Sequence, residues 1–497
     1  MHEIELKFQV PPARRDVVDK AVAGAAGAPR TRLAAVYFDT PSRRLAGAGL
    51  ALRVRKEGRR WVQTLKGAGA DGMTRFEHEV VLRGVSAAPA QADPQLHAGT
   101  PTGDRLLGLL HDAGEALAAQ YRTDILRRSR RVRTRHGVVE LAFDDGTIVA
   151  GGRRLPVCEL EIESVSGSPL AVIETARRWV ARHGLWLDTR SKAERGDLLA
   201  RGEPFAPWAK ADTARLADDV DAWQGAAAAW RSCLVQIATN ASTVAGGEFD
   251  PEHVHQLRIG LRRLRTALGF HAETAAALPR TEAVAAEAAR WFRALGAARD
   301  LVAIAGPTER ELAAALAAAG LHFETPRLAP SADAADPGAL LRAPPAQSLL
   351  LDLYEATQTE PAPELEGEAS LVEFVGRRLE RWHRRVRRDA GQFASLDDAA
   401  RHRLRKRAKR LRYGIEFGEA LFERGQVRRC LKPLRAMQER LGELVDLTVA
   451  LDAYRAGSDR DPHALFAVGW LAARRERQVA ECEPALKDFR AAKQFWN

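Results

Sequence analysis

The sequence has few of the features that mark secreted or membrane proteins. Its 497 residues include only four cysteines, at Cys158, Cys233, Cys430 and Cys482. Single cysteines without metal-ligand spacing fit part-buried thiols in a reducing compartment better than a disulfide framework. The chain lacks a long uncharged apolar run, which argues against a membrane-spanning helix. Residues 1–10 alternate charged and apolar side chains, which predicts a strand rather than a signal peptide, and we expect a cytoplasmic protein.

A glycine-rich phosphate loop is also missing, although the charge of the chain indicates a polyanionic partner. Lys and Arg number 76 against 65 Asp and Glu, which gives a net charge of +11. An excess of this sign favours binding to phosphate-rich molecules. Because a genome rich in Arg and Ala codons contributes to such an excess, the distribution of the charges matters more than their sum.

The hydrophobic pattern changes once along the chain. Up to about residue 200, short stretches of period two alternate with helical stretches near residues 12–26, 103–119 and 168–183. This mixture predicts an α+β domain. From about residue 212 the pattern is helical and rich in Ala, Leu and Arg, which predicts an all-α bundle.

Prolines and repeats divide the chain further. We predict a domain over residues 1–203, a linker over 204–214, and a helical domain over 215–495 that is split by a Pro-rich loop at about 326–346. Within the helical half, the segment HQLRIGLRRLRTALGF from His255 resembles HRLRKRAKRLRYGIEF from His402, and LGAARD from Leu295 matches LGELVD from Leu441. Two matching blocks at nearly one separation predict an internal duplication of a helical unit.

The predicted strands carry their charges on one face. Because strand side chains alternate, the first strand places Glu3, Glu5 and Lys7 together. The same split recurs at Arg53 and Arg55, at Glu77 and Glu79, and at Glu159, Glu161 and Glu163. Each strand alone fits a solvated edge face. Together, acidic and basic faces would balance in a shared barrel interior, and since divalent cations take carboxylates while phosphates take Arg and Lys, that interior would suit a metal-bound polyphosphate.

Eight short motifs follow one another along residues 1–203. They are HEIELK from His2, YFDTP from Tyr37, LALRVR from Leu50, TLKG around Lys66, RFEHE from Arg75, AFDDG with Asp144, CELEIE from Cys158 and SKAERG with Lys192. In this order they resemble the CYTH family of triphosphate tunnel metalloenzymes. The resemblance implies an eight-stranded antiparallel β-barrel tunnel that hydrolyses or cyclises triphosphates.

The resemblance also implies roles for individual residues. Ligands of Mg²⁺ or Mn²⁺, directly or through water, would be Glu3, Glu5, Glu77, Glu79, Asp144, Glu159, Glu161 and Glu163. The triphosphate would be held by Lys7, Arg53, Arg55, Lys66, Arg75, Arg122, Arg127 and Lys192. Glu3, Glu5 and Lys7 are the candidate catalytic residues, and no single carboxylate is assigned as the base. The alternative for Asp144 is a turn residue in its Asp-Asp-Gly sequence.

The repeated helices each carry a basic stripe beside an apolar one. The first stripe contains His255, Arg258, Arg262 and Arg265, the second contains His402, Arg405, Lys409 and Arg412, and Arg263, Lys406 and Arg410 add charge at the margins. Because like charges at helical spacing repel each other, two same-sign stripes need a counterion. Over residues 215–490 these features resemble the CHAD family, which implies two related four-helix units that bind inorganic polyphosphate in a basic groove. The Pro-rich loop and Arg401, where an apolar residue is more usual, depart from the family pattern.

Other ligands for the stripes stay open at this point. One alternative makes His255 and His402 metal ligands, yet no further ligand lies at metal spacing in either copy. The other alternative is a plain hydrogen-bonding role for each histidine. Nucleic acid is the rival polyanion, but single-strand binding normally adds aromatic stacking, and only Tyr413 interrupts these helices. The sequence therefore favours polyphosphate modestly over nucleic acid.

We therefore expect metal-dependent hydrolysis of inorganic triphosphate to diphosphate and phosphate in the tunnel. The helical domain would bind polyphosphate in order to recruit substrate, sense it, or localise the enzyme on polyphosphate granules. The alternatives are thiamine triphosphatase or adenylate cyclase activity in the same tunnel, and a non-catalytic polyphosphate-binding protein.

Overall fold

The computed structural model describes residues 2–69, 72–84, 91–212, 216, 220–276, 280–296, 299–324, 327–328, 336–359, 370–459 and 461–496, without the side chains of His2 and of residues 299–303. The chain forms two compact units, and each unit combines segments that are separated in the sequence. The first joins Met1–Lys210, Leu234–Leu257 and Pro337–Thr359, and the second joins Ala211–Cys233, Arg258–Asp336 and Glu360–Asn497. The domain boundaries that the sequence predicts at residues 203 and 215 stay predictions.

An antiparallel sheet dominates the first unit. Its strands are β1 (His2–Gln9), β2 (Arg30–Asp39), β3 (Leu50–Glu57), β4 (Arg60–Ala68), β5 (Thr74–Leu82), β6 (Ala118–Thr134), β7 (Gly137–Ala150), β8 (Arg153–Gly167) and β9 (Trp186–Leu187). The spatial order is β5-β4-β3-β2-β6-β7-β8-β1-β9, and β5 also pairs with β1. That last pairing closes the first eight strands into an antiparallel β-barrel, as predicted, with β9 added beside β1.

Strand alternation explains why the barrel interior is charged. In β1, Leu6 and Phe8 face outward and are almost fully buried, with 2% and 0% exposure, while Glu5 and Lys7 face inward. Helices cover the outward side chains. The apolar residues therefore lie on the outer face of the barrel, and the charged residues lie on its inner face. The pairing of Lys7 with Glu161 and of Glu5 with Glu163 then sets charged residues of β1 and β8 side by side inside the barrel.

Helices occur between the strands and through the described residues that follow β9. In chain order they are α1 (Arg15–Ala23), α2 (Arg44–Gly47), α3 (Pro101–Ala113), α4 (Leu170–His183), α5 (Lys192–Arg201), α6 (Ala222–Ala245), α7 (Pro251–Phe270), α8 (Ala272–Ala276), α9 (Thr281–Ala294), α10 (Arg299–Ala318), α11 (Pro337–Arg342), α12 (Pro344–Gln358), α13 (Leu371–Gly391), α14 (Asp398–Gly418), α15 (Arg424–Gly457) and α16 (Ala464–Ala491). The predicted change from an α+β to a helical region is therefore confirmed.

The second unit has its own apolar core. Leu379 of α13, Leu411 of α14, Leu434 of α15 and Phe489 of α16 belong to one cluster of buried side chains. Each of these residues is at most 1% exposed. The helices α13 to α16 therefore pack as one bundle around a continuous interior.

Part of the predicted Pro-rich loop is helical, so the prediction of a loop through residue 346 is wrong for residues 337–346. Pro337 opens α11 and Pro344 opens α12. Proline is tolerated in the first turn of a helix because its missing N–H has no intrahelical partner there. Residues 325, 326 and 329–335 of this stretch lie outside the described residues.

The helix α12 packs against the barrel within the first unit. The backbone N–H of Leu187 in β9 donates a hydrogen bond of 2.7 Å to Gln347 Oε1. Arg177 of α4 forms ion pairs with Asp352 and Glu355. A segment that the sequence placed between two helical repeats thus belongs to the compact unit of the barrel.

A matching contact occurs in both predicted repeats. A Cβ atom at Gly296 would lie 2.8 Å from a terminal nitrogen of Arg258, and one at Gly442 would lie 3.8 Å from Arg405. Arg258 and Arg405 hold equivalent positions on α7 and α14. The repeated approach of an arginine to a glycine supports the predicted duplication. The side chains of Arg299 and Asp300, in the same repeated block, lie outside the described residues.

Candidate active site and basic helix cluster

A cavity of about 800 Å³ runs through the barrel. It brings together most of the predicted site residues, although they are distant in sequence. The predicted residues that line it are Glu3, Glu5, Lys7, Arg53, Arg55, Lys66, Arg75, Arg127, Asp144, Glu161 and Lys192. Acidic and basic side chains therefore share one enclosed space, which we call the tunnel.

One group of carboxylates is crowded, and two of its members, Glu3 and Glu5, line the tunnel. Glu5 of β1 stands opposite Glu163 of β8. Burial raises the pKa of Glu163 to about 8, and the negative charges of Glu3 and Glu5 add to that effect. Burial also raises the pKa of Glu3, and Lys66 only partly opposes this. A carboxylate that resists ionisation because of its acidic neighbours is a favourable place for a cation.

A second group of carboxylates is already paired with cations. Single oxygens of Asp144, Glu159 and Glu161 all lie within 4.8 Å of one another. Lys192 Nζ lies 2.6 Å from Asp144 Oδ2 and 2.8 Å from Glu161 Oε1, and it also contacts Glu159. Burial alone would raise the pKa of Glu161, but Lys192 and Arg127 hold it well below its usual range. A metal ion here would have to displace these cations, just as one beside Glu3 and Glu5 would have to displace Lys66 and Arg75.

Asp144 is an interior strand residue and not a turn residue. It lies within β7, its side chain is 1% exposed, and Arg127 Nη2 lies 2.6 Å from its Oδ2. The turn alternative from its Asp-Asp-Gly sequence is therefore wrong.

The basic residues of the tunnel keep donors available. Lys66 Nζ lies 2.9 Å from Glu3 Oε2 and 3.2 Å from Glu77 Oε2, and Arg75 lies 3.0 Å from Glu5. Lys7 Nζ is buried and has no hydrogen-bond partner among the described residues. Burial lowers the pKa of Lys7 to about 8, with a further contribution from Arg75. A buried ammonium without hydrogen bonds is suited to an anionic ligand.

The other predicted tunnel residues differ in position. Glu77 and Glu79 follow the inward phase of β5, and Arg55 lies 3.5 Å from Glu79, whose side chain is 44% exposed. Glu159 is 1% exposed and bound to Lys192. Arg122 is exposed, whereas its neighbours Tyr121 and Thr123 line the tunnel. Its prediction as a triphosphate ligand is therefore wrong in position, because alternation along β6 points it outward while Arg127 points inward.

Two residues that contact predicted site residues were missed by the sequence analysis. Arg195 of α5 is 7% exposed and forms an ion pair with Glu159. It follows Lys192 by three residues and so shares its helix face, a signal that was readable from the spacing. The hydroxyl of Tyr37 accepts a 3.4 Å hydrogen bond from Arg53, and its ring stacks on Tyr121 at 4.7 Å.

A local sequence signal fixes the position of Lys192. The hydroxyl of Ser191 accepts a 3.0 Å hydrogen bond from the backbone N–H of Glu194, and the Glu194 carboxylate accepts one of 2.6 Å from the N–H of Ser191. This capping box starts α5 directly at Lys192. The lysine therefore enters the tunnel from a well-defined helix end.

The helices α7 and α14 bring like charges together in the second unit. Burial lowers the pKa of Lys409 to about 7, and Arg262, Arg405 and Arg412 lower it further, against the opposing charge of Asp446. Burial likewise lowers the pKa of Arg265, with contributions from Arg410 and Arg293. We call Arg262, Arg265, Arg405, Lys409, Arg410 and Arg412 the basic helix cluster. It combines residues from both predicted stripes.

The remaining predicted stripe residues surround this cluster unevenly. His255 and Lys406 are exposed. Burial, followed by Lys406 and Arg405, lowers the pKa of His402. Arg258 is 7% exposed and lies over the ring of Phe292 at 4.8 Å.

Arg263 is placed differently from the prediction. It is only 3% exposed, and its guanidinium lies over the ring of Phe417 at 5.3 Å. It follows Arg262 directly, so the helix turns it by about 100° away from that side chain. The structure therefore buries Arg263, which the sequence placed at the exposed margin of the first basic stripe.

Residues 1–196 match the model of the CYTH domain, and residues 228–455 match that of the CHAD domain. The chain carries a CYTH domain and a CHAD domain. A curated inorganic triphosphatase of Haemophilus influenzae is 29% identical over 175 residues, which are 35% of this chain and 47% of that protein. The chain thus spans about half the length of this relative.

Solved structures were also found for each part. The CHAD domain of the plant Ricinus communis is 26% identical, covers 58% of this chain and 99% of its own, and has a TM-score of 0.47. A Hippeastrum protein described as a candidate adenylyl cyclase with a dominant triphosphatase activity is 19% identical, covers 40% and 96%, and has a TM-score of 0.29. Because both TM-scores are below 0.5, the barrel assignment rests on the strand pairing. Among the described residues, no helix has the length and apolar character needed to cross a membrane.

Proposed function

We propose that the tunnel hydrolyses inorganic triphosphate to diphosphate and phosphate in a metal-dependent reaction. The observation that carries the proposal is the coexistence of crowded carboxylates and buried cations in one cavity. Glu163 is flanked by Glu3 and Glu5, while Lys7 is buried without a hydrogen-bond partner in the described part of the chain. Carboxylates suit a divalent cation and buried cations suit an anion, and a metal triphosphate supplies both.

Glu3, Glu5 and Glu163 would hold the divalent ion, for which we propose Mg²⁺ or Mn²⁺. Their oxygens are the ligands that these hard cations prefer. When bound, the ion would neutralise charge on the phosphate oxygens and make the phosphorus easier to attack.

The basic residues of the tunnel would hold the substrate in line for attack by water. Lys7, Lys66 and Arg75 lie beside the crowded carboxylates, while Arg127 and Lys192 lie beside the second carboxylate group. These positions let cations contact phosphate groups at both places along the tunnel. Their positive charge would stabilise the negative charge that builds up on the leaving diphosphate.

Phosphate release from four substrates tests this proposal. The substrates are tripolyphosphate, ATP, thiamine triphosphate and long-chain polyphosphate, each with Mg²⁺, Mn²⁺ or EDTA. We expect rapid release from tripolyphosphate that EDTA abolishes, and slow release from the others. Preferred turnover of thiamine triphosphate or ATP, or formation of cyclic AMP, would contradict the proposed inorganic substrate and indicate an organic one. No turnover of any substrate would leave a binding protein.

For the helical domain we propose binding of inorganic polyphosphate at the basic helix cluster. The lowered pKa of Lys409 supports a need for an external anion, since burial and neighbouring arginines disfavour its charged form. Duplex DNA is the competing polyanion. Binding of each polymer at matched salt distinguishes the two, and equal affinity would contradict a preference for polyphosphate.

Binding of polyphosphate by the helical domain also predicts where the protein lies in the cell. We propose that the protein acts in the cytoplasm and that the helical domain recruits it to polyphosphate granules. Fluorescence microscopy of the tagged chain, with and without the cluster substitutions given below, tests that location directly.

A further inference from the structure

The tunnel is bounded at one end by residues that do not belong to the barrel. Val235, Thr239 and Thr243 of α6 line the cavity, together with Leu198 of α5 and Ala206. Barrel strands enclose the sides of the cavity, so any lining residue from another element must lie at an end. We call Val235, Thr239 and Thr243 the α6 wall.

The position of the α6 wall follows from the topology. Gly47 and Gly49 between β2 and β3, and Gly69 and Gly72 between β4 and β5, line the same cavity. These two connections leave the barrel at one end, because consecutive strands are antiparallel. Lys192 enters the tunnel at this end too, since Asp188, four residues earlier, donates its N–H to the carbonyl of Lys7 near the end of β1.

Hydrogen bonds hold α6 against this end. The backbone N–H of Thr189 donates to Ser242 Oγ at 3.0 Å. The side chain of Asn240 accepts from the N–H of Ala209 at 3.1 Å and donates to its carbonyl at 2.9 Å. All of these residues belong to the first compact unit. The α6 wall is therefore held in place by contacts of the two residues Asn240 and Ser242, which follow Thr239 along the helix.

The charge balance changes between the tunnel and this end. In the middle of the tunnel, lining cations outnumber lining carboxylates. At the end, Arg43 lies 3.2 Å from Asp197, Arg201 lies 2.9 Å from the same carboxylate, and Arg190 lies 2.8 Å from Asp188. Asp39 adds a third negative charge, which accepts hydrogen bonds from backbone N–H groups of α2, so three arginines stand beside three aspartates. The α6 wall itself is uncharged.

We infer that the α6 wall limits the tunnel to short phosphate chains. A further phosphate extending toward this end would place its charge against Val235 and Thr239 and beside already paired arginines. Burying an ion without a counterion is strongly unfavourable, so longer chains are rejected here. This inference rests on the proposed function and adds a specificity role for a helix that precedes the basic stripes.

Lysine substitutions in the wall test the inference. Val235 and Thr239 are half-buried, so a lysine at either position has room to place its ammonium group toward the cavity. For Val235→Lys and Thr239→Lys we expect the ratio of kcat/KM for tetrapolyphosphate to that for tripolyphosphate to rise at least fivefold. Leu465→Lys is the matched control, because it adds the same charge at a side chain of α16 that is 61% exposed.

The outcomes separate this inference from the proposed function. Suppose that the wild-type protein turns over tripolyphosphate and that both lysine variants keep the tetrapolyphosphate-to-tripolyphosphate ratio of kcat/KM within twofold of wild type. That result would overturn the role of the α6 wall. A wild-type protein that turns over no phosphate chain would overturn the proposed function instead. If the lysine variants fail to fold, as judged by circular dichroism, Thr239→Ala replaces them. Removal of that side chain should raise the ratio about twofold, and an unchanged ratio would contradict the inference.

Discussion

The tunnel and the basic helix cluster both gather cations, but they differ in what balances them. In the tunnel, each of Lys66, Arg75 and Lys192 lies within 3.0 Å of a carboxylate oxygen. In the cluster, Lys409 faces Arg262, Arg405 and Arg412, with Asp446 as the opposing charge. A site with both signs can hold a metal ion and a phosphate together. A site with one dominant sign is suited to binding an anion.

The two regions also differ in how their charges affect stability. Paired buried charges resist the loss of either partner, because the remaining ion is left without compensation. Like charges that share a surface repel each other until an anion arrives. Substitutions should therefore affect folding most in the tunnel and ligand affinity most in the cluster.

The largest expected effect is at Lys192. Lys192→Met leaves Asp144, Glu159 and Glu161 without their shared cation, and we expect the free energy of unfolding to fall by about 3–5 kcal/mol. Urea unfolding measures this loss. The exposed Lys210→Met is the control and should be neutral. Equal stability of both variants would show that the tunnel charges are not coupled as the contacts indicate.

Glu5→Gln should separate catalysis from polymer binding. Removal of this charge takes one ligand from the crowded carboxylates, and we expect metal-dependent turnover of tripolyphosphate to fall about 100- to 1,000-fold. Binding of long polyphosphate should be unchanged, because the basic helix cluster is intact. Glu483→Gln, at an exposed position of α16, controls for the loss of one charge. Full turnover in Glu5→Gln would contradict the assignment of the metal group.

Arg405→Gln should give the reverse result. The loss of one charged contact to phosphate is expected to weaken polyphosphate binding about tenfold at low salt and to reduce the salt dependence of that binding. Turnover of tripolyphosphate should stay at the wild-type rate. Arg429→Gln is the control, since the Arg429 side chain is 77% exposed. A similar loss in both variants would indicate attraction by net charge alone.

The smallest expected effect is a pH dependence that belongs to the cluster. Lys409 has a pKa of about 7 in the free protein, and a bound anion would raise it. Above pH 7, Lys409 must then take up a proton when the anion binds. The affinity for polyphosphate should therefore be constant below about pH 6 and fall about fivefold between pH 7 and pH 9. Without ligand, the lowered pKa of Lys409 means that the unfolded chain binds more protons, so stability should rise over the same interval. Calorimetry in buffers of different ionisation enthalpy measures the uptake, which Lys409→Met should remove.

Several features of the site were predictable from short stretches of sequence. Alternation alone puts Glu3, Glu5 and Lys7 on one strand face, and Ser191 with Glu194 predicts a helix that begins at Lys192. These features depend on neighbouring residues, whose geometry is set by the backbone. The same rule shows that Arg122 and Arg127, an odd number of residues apart in one strand, cannot both point inward without a bulge.

Tertiary structure decided what each charge does. Glu161 and Glu163 share one strand face, yet the pKa of Glu161 is lowered by Lys192 and Arg127, whereas burial with Glu3 and Glu5 raises that of Glu163. The docking of α12 on the barrel and the position of Val235 at the tunnel end likewise depend on residues far away in sequence. The sequence thus determined which side chains share a face, because that follows from backbone periodicity. Only the folded chain determined their electrostatic roles, because those depend on distances between charges that strand closure and helix packing bring together.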